Sequence, residues 1–300
     1  MSKEQNFISA VVYIKDDNPG TIHFFDKLNG VLSGHFIQYE IVAVNANCGD
    51  HHLSNLREWA KGIGQPLTII NMSLKQSHEQ CMNAGLDMTI GDYVYEFDST
   101  DLPYPEEIIW KAYQTAMNGN DIVTVCPKST VGWSKAFYRI FNANSDAAYD
   151  LRTDVFRLVS RRAVNRAHAM SDNLPYRKAT YAACGLKMAI LEFDGRAGGK
   201  KDERFDLAVD SLAIYTNFGY KFSLGLTGCM LLAALCELAY TVTVWLTGNP
   251  ISGWTTTMFV LTLGLFGLFA ILAIMLKYLT LILKLIFQKQ KYLIESTERL

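Results

Sequence analysis

The sequence is short of charge, short of proline and without any cysteine pairing pattern, and each shortage excludes something. Only 19% of its 300 residues are charged and seven are proline, which rules out a disordered tail or a collagen-like fibre. Lys and Arg number 28 against 29 Asp and Glu, so no surplus of positive charge exists to hold nucleic acid, which is not expected as a partner. The six cysteines show no C-x-x-C spacing, and Cys229 and Cys236 lie inside an apolar run. Neither a zinc site nor a disulfide framework is implied, and free thiols in a reducing compartment are expected. The histidines are scattered, and His51-His52 has no third ligand at metal spacing. Neither a P-loop nor a G-x-G-x-x-G occurs, which removes the usual phosphate-cradling loops. No apolar signal segment follows Met1, so a cytosolic N-terminus is expected.

Apolar residues, by contrast, make up 50% of the chain, and they are unevenly placed. The mean hydropathy of +0.09 averages two materials: an ordinary soluble sequence over 1–221 and a nearly uncharged stretch over 222–287. Segments 222–246 and 254–276 are each long enough to cross about 30 Å of hydrocarbon. The loop between them, 247–253, is rich in turn-forming residues and lacks Lys and Arg, so a transmembrane hairpin is expected. Lys221, Lys277, Lys284, Lys289 and Lys291 flank it, which places both termini in the cytoplasm and the protein in the inner (plasma) membrane. Segment 277–291 carries lysines along one edge of an apolar body and reads as an interfacial helix held by membrane lipids. Glu237, near the middle of the first span, is expected either to contact a partner helix or a lipid headgroup cavity, or to be protonated and hydrogen-bonded to Thr241 one turn on or to the second helix. Residues 288–300 read as a cytosolic tail. A homo-oligomer or a small membrane protein partner is compatible with this layout.

The soluble part alternates. Near-continuous apolar, β-branched runs at 7–14, 39–44, 67–70, 93–97 and 121–126 fit strands buried on both faces. Helix-length segments separate them. Ser77-His-Glu-Gln80 matches a capping box, and Tyr104-Pro-Glu-Glu107 puts Pro and two acids in a first turn before Gly119 closes the helix. Strand and helix in alternation predict an α/β sheet whose ligands bind beyond the carboxyl ends of its strands. Acidic and amide groups stand at those ends: Asp16-Asp17 after the first, Asn45 to Asp50 after the second, and Asp98-Ser-Thr-Asp101 after the fourth. An Asp at the tip of the fourth strand with oxygen-bearing neighbours suits a hard divalent cation shared with substrate phosphates.

Taken in order, these clusters resemble the family 2 glycosyltransferases, in particular the membrane-anchored branch that moves sugars onto polyprenyl phosphate, with dolichyl-phosphate mannose synthase and the bactoprenol glucosyltransferases among its members. VVYIKDD at 11–17 is similar to the opening strand and its acidic turn, and YEIVAVNANCGD at 39–50 to the nucleoside-binding segment. The run from Ser77 to Asp87, followed by GDYVYEFD at 91–98, resembles the helix and strand leading to the metal motif. FRLVSRR at 156–162 resembles the acceptor-side stretch, and RAGGKK at 196–201 the loop before the membrane hairpin.

The resemblance implies a Rossmann-like, GT-A type nucleotide-diphospho-sugar transferase domain over 1–221. It implies catalysis by Asp98, Asp101 and Arg157, with donor binding by Asp17, Asn45, Asp50, His78, Glu79 and Asp98. Mg²⁺ or Mn²⁺ would be held by Asp98, Thr100 and Asp101, and an acceptor phosphate by Arg157, Arg161, Arg162, Lys200 and Lys201. The expected reaction is inverting transfer from a UDP- or GDP-linked sugar to polyprenyl (undecaprenyl) phosphate. Three acidic motifs of the family differ, at four positions: Thr100 replaces the second Asp of the metal motif, Asn45 and Ala46 replace a pair of aspartates, and Val155 replaces the Asp before the arginine stretch. The alternative that they raise is a catalytically impaired homologue acting as a nucleotide-sugar-binding or membrane-partner scaffold.

Overall fold

The computed structural model describes residues 3–14, 20–46, 50–64, 66–129, 132–144, 148–170, 176–196 and 292–300, with single positions between 225 and 282. Two compact units are present: Met1–Leu207 with Gln290–Leu300, and Ala208–Lys289. In the first, all five apolar runs form strands: β1 (Ile8–Ile14), β2 (Tyr39–Asn45), β3 (Leu67–Met72), β4 (Tyr93–Phe97) and β5 (Ile122–Ser129). Every position of β1 is buried. Its side chains alternate between two cores, as strand geometry requires. Ile8, Ala10, Val12 and Ile14 pack with residues of α1 (Thr21–His35), α2 (Asp50–Ala60) and α4 (Glu107–Met117). Val11 and Tyr13 pack on the other face with α3 (His78–Asp87), α6 (Arg161–Met170) and α7 (Arg177–Ala183). Helix α5 (Gly132–Asn144) follows β5.

The sheet has eight strands in the order β7-β5-β6-β4-β1-β2-β3-β8, where β6 is Phe156–Ser160, β7 Met188–Arg196 and β8 Ile294–Arg299. Strands β1 to β4 run parallel, and β6 lies antiparallel between β4 and β5. Because β6 runs the other way, its first residues meet the last ones of β4, with Arg157 opposite Glu96 and Phe156 opposite Phe97. The sheet therefore carries an arginine from one strand and an acid from the next to the same edge.

Helix α3 brings a further pair of side chains there. Its capping box forms as the sequence predicts, with Ser77 accepting from the Gln80 N–H and the Gln80 side chain accepting from the Ser77 N–H. Its Gly85 lies so close to the sheet that a Cβ would sit 2.5 Å from Val11 Cγ1 and 2.7 Å from Val44 Cγ2. Only glycine lets the helix settle at this depth.

Two sequence expectations are corrected here or lie beyond what is described. Part of the segment read as a tail, 288–300, is strand β8, antiparallel on β3. The sequence hides it because Ile-Glu-Ser-Thr-Glu-Arg is mostly polar and exposed, the composition of a protected edge strand rather than of a core one. The predicted spans, Glu237 and most of the interfacial helix fall largely outside the described residues. Among the described residues no helix is long and apolar enough to cross a membrane. Within the second unit Met230 packs on Gly267, where a Cβ would come within 2.6 Å of the methionine's terminal carbon. Among the described cysteines Cys81, Cys126, Cys184, Cys229 and Cys236 are free thiols.

Candidate active site

Strand β4 reads Tyr-Val-Tyr-Glu-Phe, and one of its residues is out of place: Glu96 is fully buried in an otherwise apolar strand. A buried carboxylate demands cations. Two guanidiniums supply them, Arg157 Nη1 at 3.1 Å and Arg177 Nη1 at 2.9 Å from Glu96 Oε2, while the Tyr181 hydroxyl donates to Oε1 at 2.5 Å. The same two arginines reach past the strand end to Asp98. Arg157 Nη2 donates to Asp98 Oδ2 at 2.8 Å and Arg177 Nη2 to Oδ1 at 3.0 Å. Arg157 Nε donates to Asp154 at 3.1 Å and Arg177 Nε to Glu79 at 2.8 Å. Lys178 completes the group by donating to Asp154 at 2.7 Å and to the Tyr138 hydroxyl at 3.0 Å. His78 lies at the open side, its Nε2 3.6 Å from Asp98 Oδ1 and its ring against Tyr13.

Four carboxylates (Glu79, Glu96, Asp98, Asp154) thus face three cations (Arg157, Arg177, Lys178), leaving one net negative charge. Asp98 is the exposed member, with 29% of its side chain accessible against 3% for Arg157 and 0% for Arg177. Burial pushes the Asp98 carboxyl up, but the Arg157 guanidinium, with His78 and Arg177, outweighs it and holds it well below the ordinary carboxylate range. Asp154 is depressed in the same way, desolvation being overcome by Arg157 and Lys178. Desolvation would lower Arg177 and Lys178, yet their anionic and hydrogen-bonding partners together, led by Glu79 for Arg177 and by Asp154 for Lys178, outweigh it and raise both. Asp98, Asp154, Arg157, Arg177 and Lys178 are therefore charged at neutral pH.

Of the sequence-predicted residues, the structure gathers Asp98, Arg157, Glu79 and His78 at one point. Asn45 ends β2 on the same sheet edge, donating from Nδ2 to Asn71 Oδ1 at 2.8 Å. Asp101 is exposed three residues beyond Asp98, and the Thr100 hydroxyl sits 3.3 Å from that of Thr21. Asp50 opens α2. Its side chain lies outside the described residues, as do Asp17, Lys200 and Lys201. The predicted acceptor set does not hold together. Arg161 and Arg162 start α6 at the opposite end of the sheet, where Arg161 donates to Gly91 O and Thr89 Oγ1 and Arg162 to Asp121. The cause is strand length: Arg161 lies four residue steps beyond Arg157, at about 3.3 Å each along the strand. Arg157 itself has Nε, Nη1 and Nη2 each turned to a carboxylate, so it supplies positive potential rather than a ligand held out to a phosphate.

Arg177, Lys178 and Glu96 escape sequence reasoning. Glu96 could have been found, because a lone acid in a buried strand requires a partner; Arg177-Lys178 opens a short helix and carries no such signal. Asp154, beside the substituted Val155, does reach the cluster, but as the partner of two cations.

No protein-family model matches the chain. It is similar to an uncharacterized glycosyltransferase of Synechocystis sp., 28% identical over 194 residues, 62% of this chain and 60% of that one, so the match spans less than two thirds of that relative's length. It is also similar to a prophage bactoprenol glucosyl transferase homolog of Escherichia coli (strain K12), 24% identical over 225 residues, 70% of this chain and 72% of that one. Among solved structures it is similar to glucosyl-3-phosphoglycerate synthase from Mycobacterium tuberculosis in complex with Mn²⁺, UDP-glucose and phosphoglyceric acid. The TM-score is 0.50 at 14% identity, covering 69% of this chain and 78% of that one. In sequence the chain is similar to glycosyltransferases, bactoprenol glucosyl transferases among them, and its α/β fold matches that of GT-A type glycosyltransferases.

Proposed function

We propose that the protein transfers a sugar, with inversion, from a UDP- or GDP-linked donor to polyprenyl (undecaprenyl) phosphate at the cytosolic face of the inner membrane, for synthesis or modification of cell-envelope glycans such as lipopolysaccharide. The observation that carries this reading is the state of Asp154. A hydroxyl acceptor needs a general base near the anomeric carbon. Position 155 is valine, and the acid beside it is bound by Lys178 and Arg157 with its carboxyl depressed, so it is a weak base. A lipid phosphate, with a second pKa near 6 by analogy with phosphate monoesters, arrives as an anion and needs no base.

In this reading Asn45, His78 and the Asp98 cluster receive the donor at the carboxyl ends of β2 and β4. Buried charges fixed in place before substrate arrives cost no reorganisation during reaction. Among the described residues no group of three or more His, Cys, Asp and Glu could hold a metal ion on its own. Yet the cluster is net negative and a diphosphate adds to that, so a divalent cation fits the charge and the oxygen-only donor set. Asp98 and Asp101 would hold Mg²⁺ or Mn²⁺ together with the donor's phosphates, and the ion would neutralise the leaving diphosphate. Lys200 and Lys201, ahead of the apolar stretch, would dock the acceptor phosphate, with Arg157 contributing potential. The apolar stretch 222–287 would anchor the enzyme as a two-helix hairpin.

The commitment of both Asp98 oxygens to guanidiniums favours one rival, a scaffold that binds nucleotide sugar without turning it over. Purified full-length protein incubated with a panel of UDP- and GDP-sugars and polyprenyl phosphate, with and without Mn²⁺, separates the two. Lipid-linked sugar is the expected product. Nucleotide binding with no transfer to any acceptor would establish the scaffold, and transfer to a free alcohol or saccharide as readily as to the lipid phosphate would sink the acceptor assignment.

A further inference from the structure

Asn45 and Asn71 lie opposite each other at the carboxyl ends of β2 and β3, and their amides are set from the far end of the chain. Asn71 Nδ2 donates to Ser296 Oγ and to Glu298 Oε1, both at 2.9 Å. A carboxylate only accepts, so the nitrogen of Asn71 must face β8 and its oxygen must face Asn45, which then has to present its own nitrogen. Glu298, 227 residues along the chain from Asn71, thereby fixes two amides in series. It is itself gripped by Arg57 of α2, with Nε at 2.8 Å and Nη2 at 2.9 Å.

The residue just before β8 makes a second connection. Leu293 accepts from Gln76 Nε2 at 2.7 Å and from the Ser73 N–H at 3.2 Å, and its N–H donates to Gln76 Oε1 at 2.8 Å. Gln76 precedes Ser77, the cap of α3, and His78 and Glu79 follow as the helix residues that touch Asp98 and Arg177. The C-terminal segment therefore braces two elements of the donor end, the Asn45–Asn71 pair and the first turn of α3.

We infer that β8 is a positioning element of the donor site, with Ser296 and Glu298 acting through Asn71 to set the Asn45 amide for nucleoside recognition. This rests on the donor reading given above. The test is calorimetric titration of full-length protein with UDP and with GDP in Mn²⁺, alongside donor KM and kcat. Ser296→Ala combined with Glu298→Ala is expected to weaken nucleotide binding about tenfold, the scale of one or two lost hydrogen bonds, and to raise donor KM with little change in kcat. Glu298→Gln, whose carbonyl still accepts from Asn71, should restore most of the affinity. Arg57→Ala breaks the grip behind Glu298 without removing either acceptor, so it should lower Tm while leaving affinity within about twofold. A double variant that binds as tightly as wild type would overturn the inference. Equal weakening by Arg57→Ala and the double variant would also overturn it, since β8 would then be merely structural. Wild-type protein that binds neither nucleotide would remove the donor reading itself, and the inference with it.

Discussion

The two ends of the sheet use arginine and carboxylate in opposite ways. At the carboxyl end Arg157 and Arg177 are buried, each meets three carboxylates, and Glu96 and Asp98 are shared between them. At the amino end the Arg162 side chain is 71% exposed and pairs with Asp121 alone, while Arg161 holds a backbone carbonyl and a threonine hydroxyl. The residue type is the same and the run FRLVSRR supplies three of the four arginines, so composition cannot tell the ends apart. Burial and sharing do. Desolvated charges without a full set of partners are costly, and a fold retains such a network only where its geometry is good. The pair at the other end, an exposed Arg162 on a buried Asp121, tethers α6 to the sheet.

The contrast would break first under removal of a shared cation. Arg177→Met leaves Glu79, Glu96 and Asp98 short of positive charge, and the expected loss is about 3–5 kcal/mol of stability in urea denaturation. A loss under about 1 kcal/mol would place the network in the same class as a surface pair. Next comes turnover. Asp98→Asn should lower the transfer rate by about a hundredfold or more, the scale of removing one group that stabilises developing charge, whereas Asp101→Ala and Thr100→Ala should cost less.

Acid sharpens the comparison further. Asp98 and Asp154 have carboxyls depressed in the folded protein, so they bind fewer protons there than in the unfolded chain. Their contribution to stability is then present above the unfolded value of about 3.9 and is lost as pH falls from there through the folded values. Stability should therefore hold from neutral to about pH 5 and fall steeply below, and Asp154→Asn should flatten that acid limb. An acid limb of unchanged slope in the variant would remove Asp154 from the account. The smallest effect belongs to the other end of the sheet, where Arg162→Ala should leave the thermal midpoint close to that of wild type, because its exposed guanidinium is screened by solvent.

Much of the fold was legible because burial on both faces leaves a simple trace. The five apolar runs became five strands, and Ser77 and Gln80 formed the capping box that their spacing predicts. Strand β8 was illegible because an exposed edge strand carries no apolar alternation. Of the site, Asp98, His78 and Glu79 were readable from their positions at a strand tip and a helix start. Arg161 and Arg162 misled because adjacency in sequence says nothing about which end of a strand a residue occupies. Arg177 and Lys178 were invisible because their partners, Glu79, Glu96, Asp98 and Asp154, are brought to them only by tertiary contacts between α3, β4, α7 and the turn before β6.

The most direct test sets the two ends side by side in one transfer assay, with the nucleotide sugar that wild type uses and polyprenyl phosphate as acceptor. Asp98→Asn and Arg162→Ala are compared after both are shown to be folded by circular dichroism. Transfer reduced about a hundredfold in the first and unchanged in the second is the expected result. Transfer that survives Asp98→Asn, or that falls equally in both, would contradict the placement of the active site at the carboxyl end of β4.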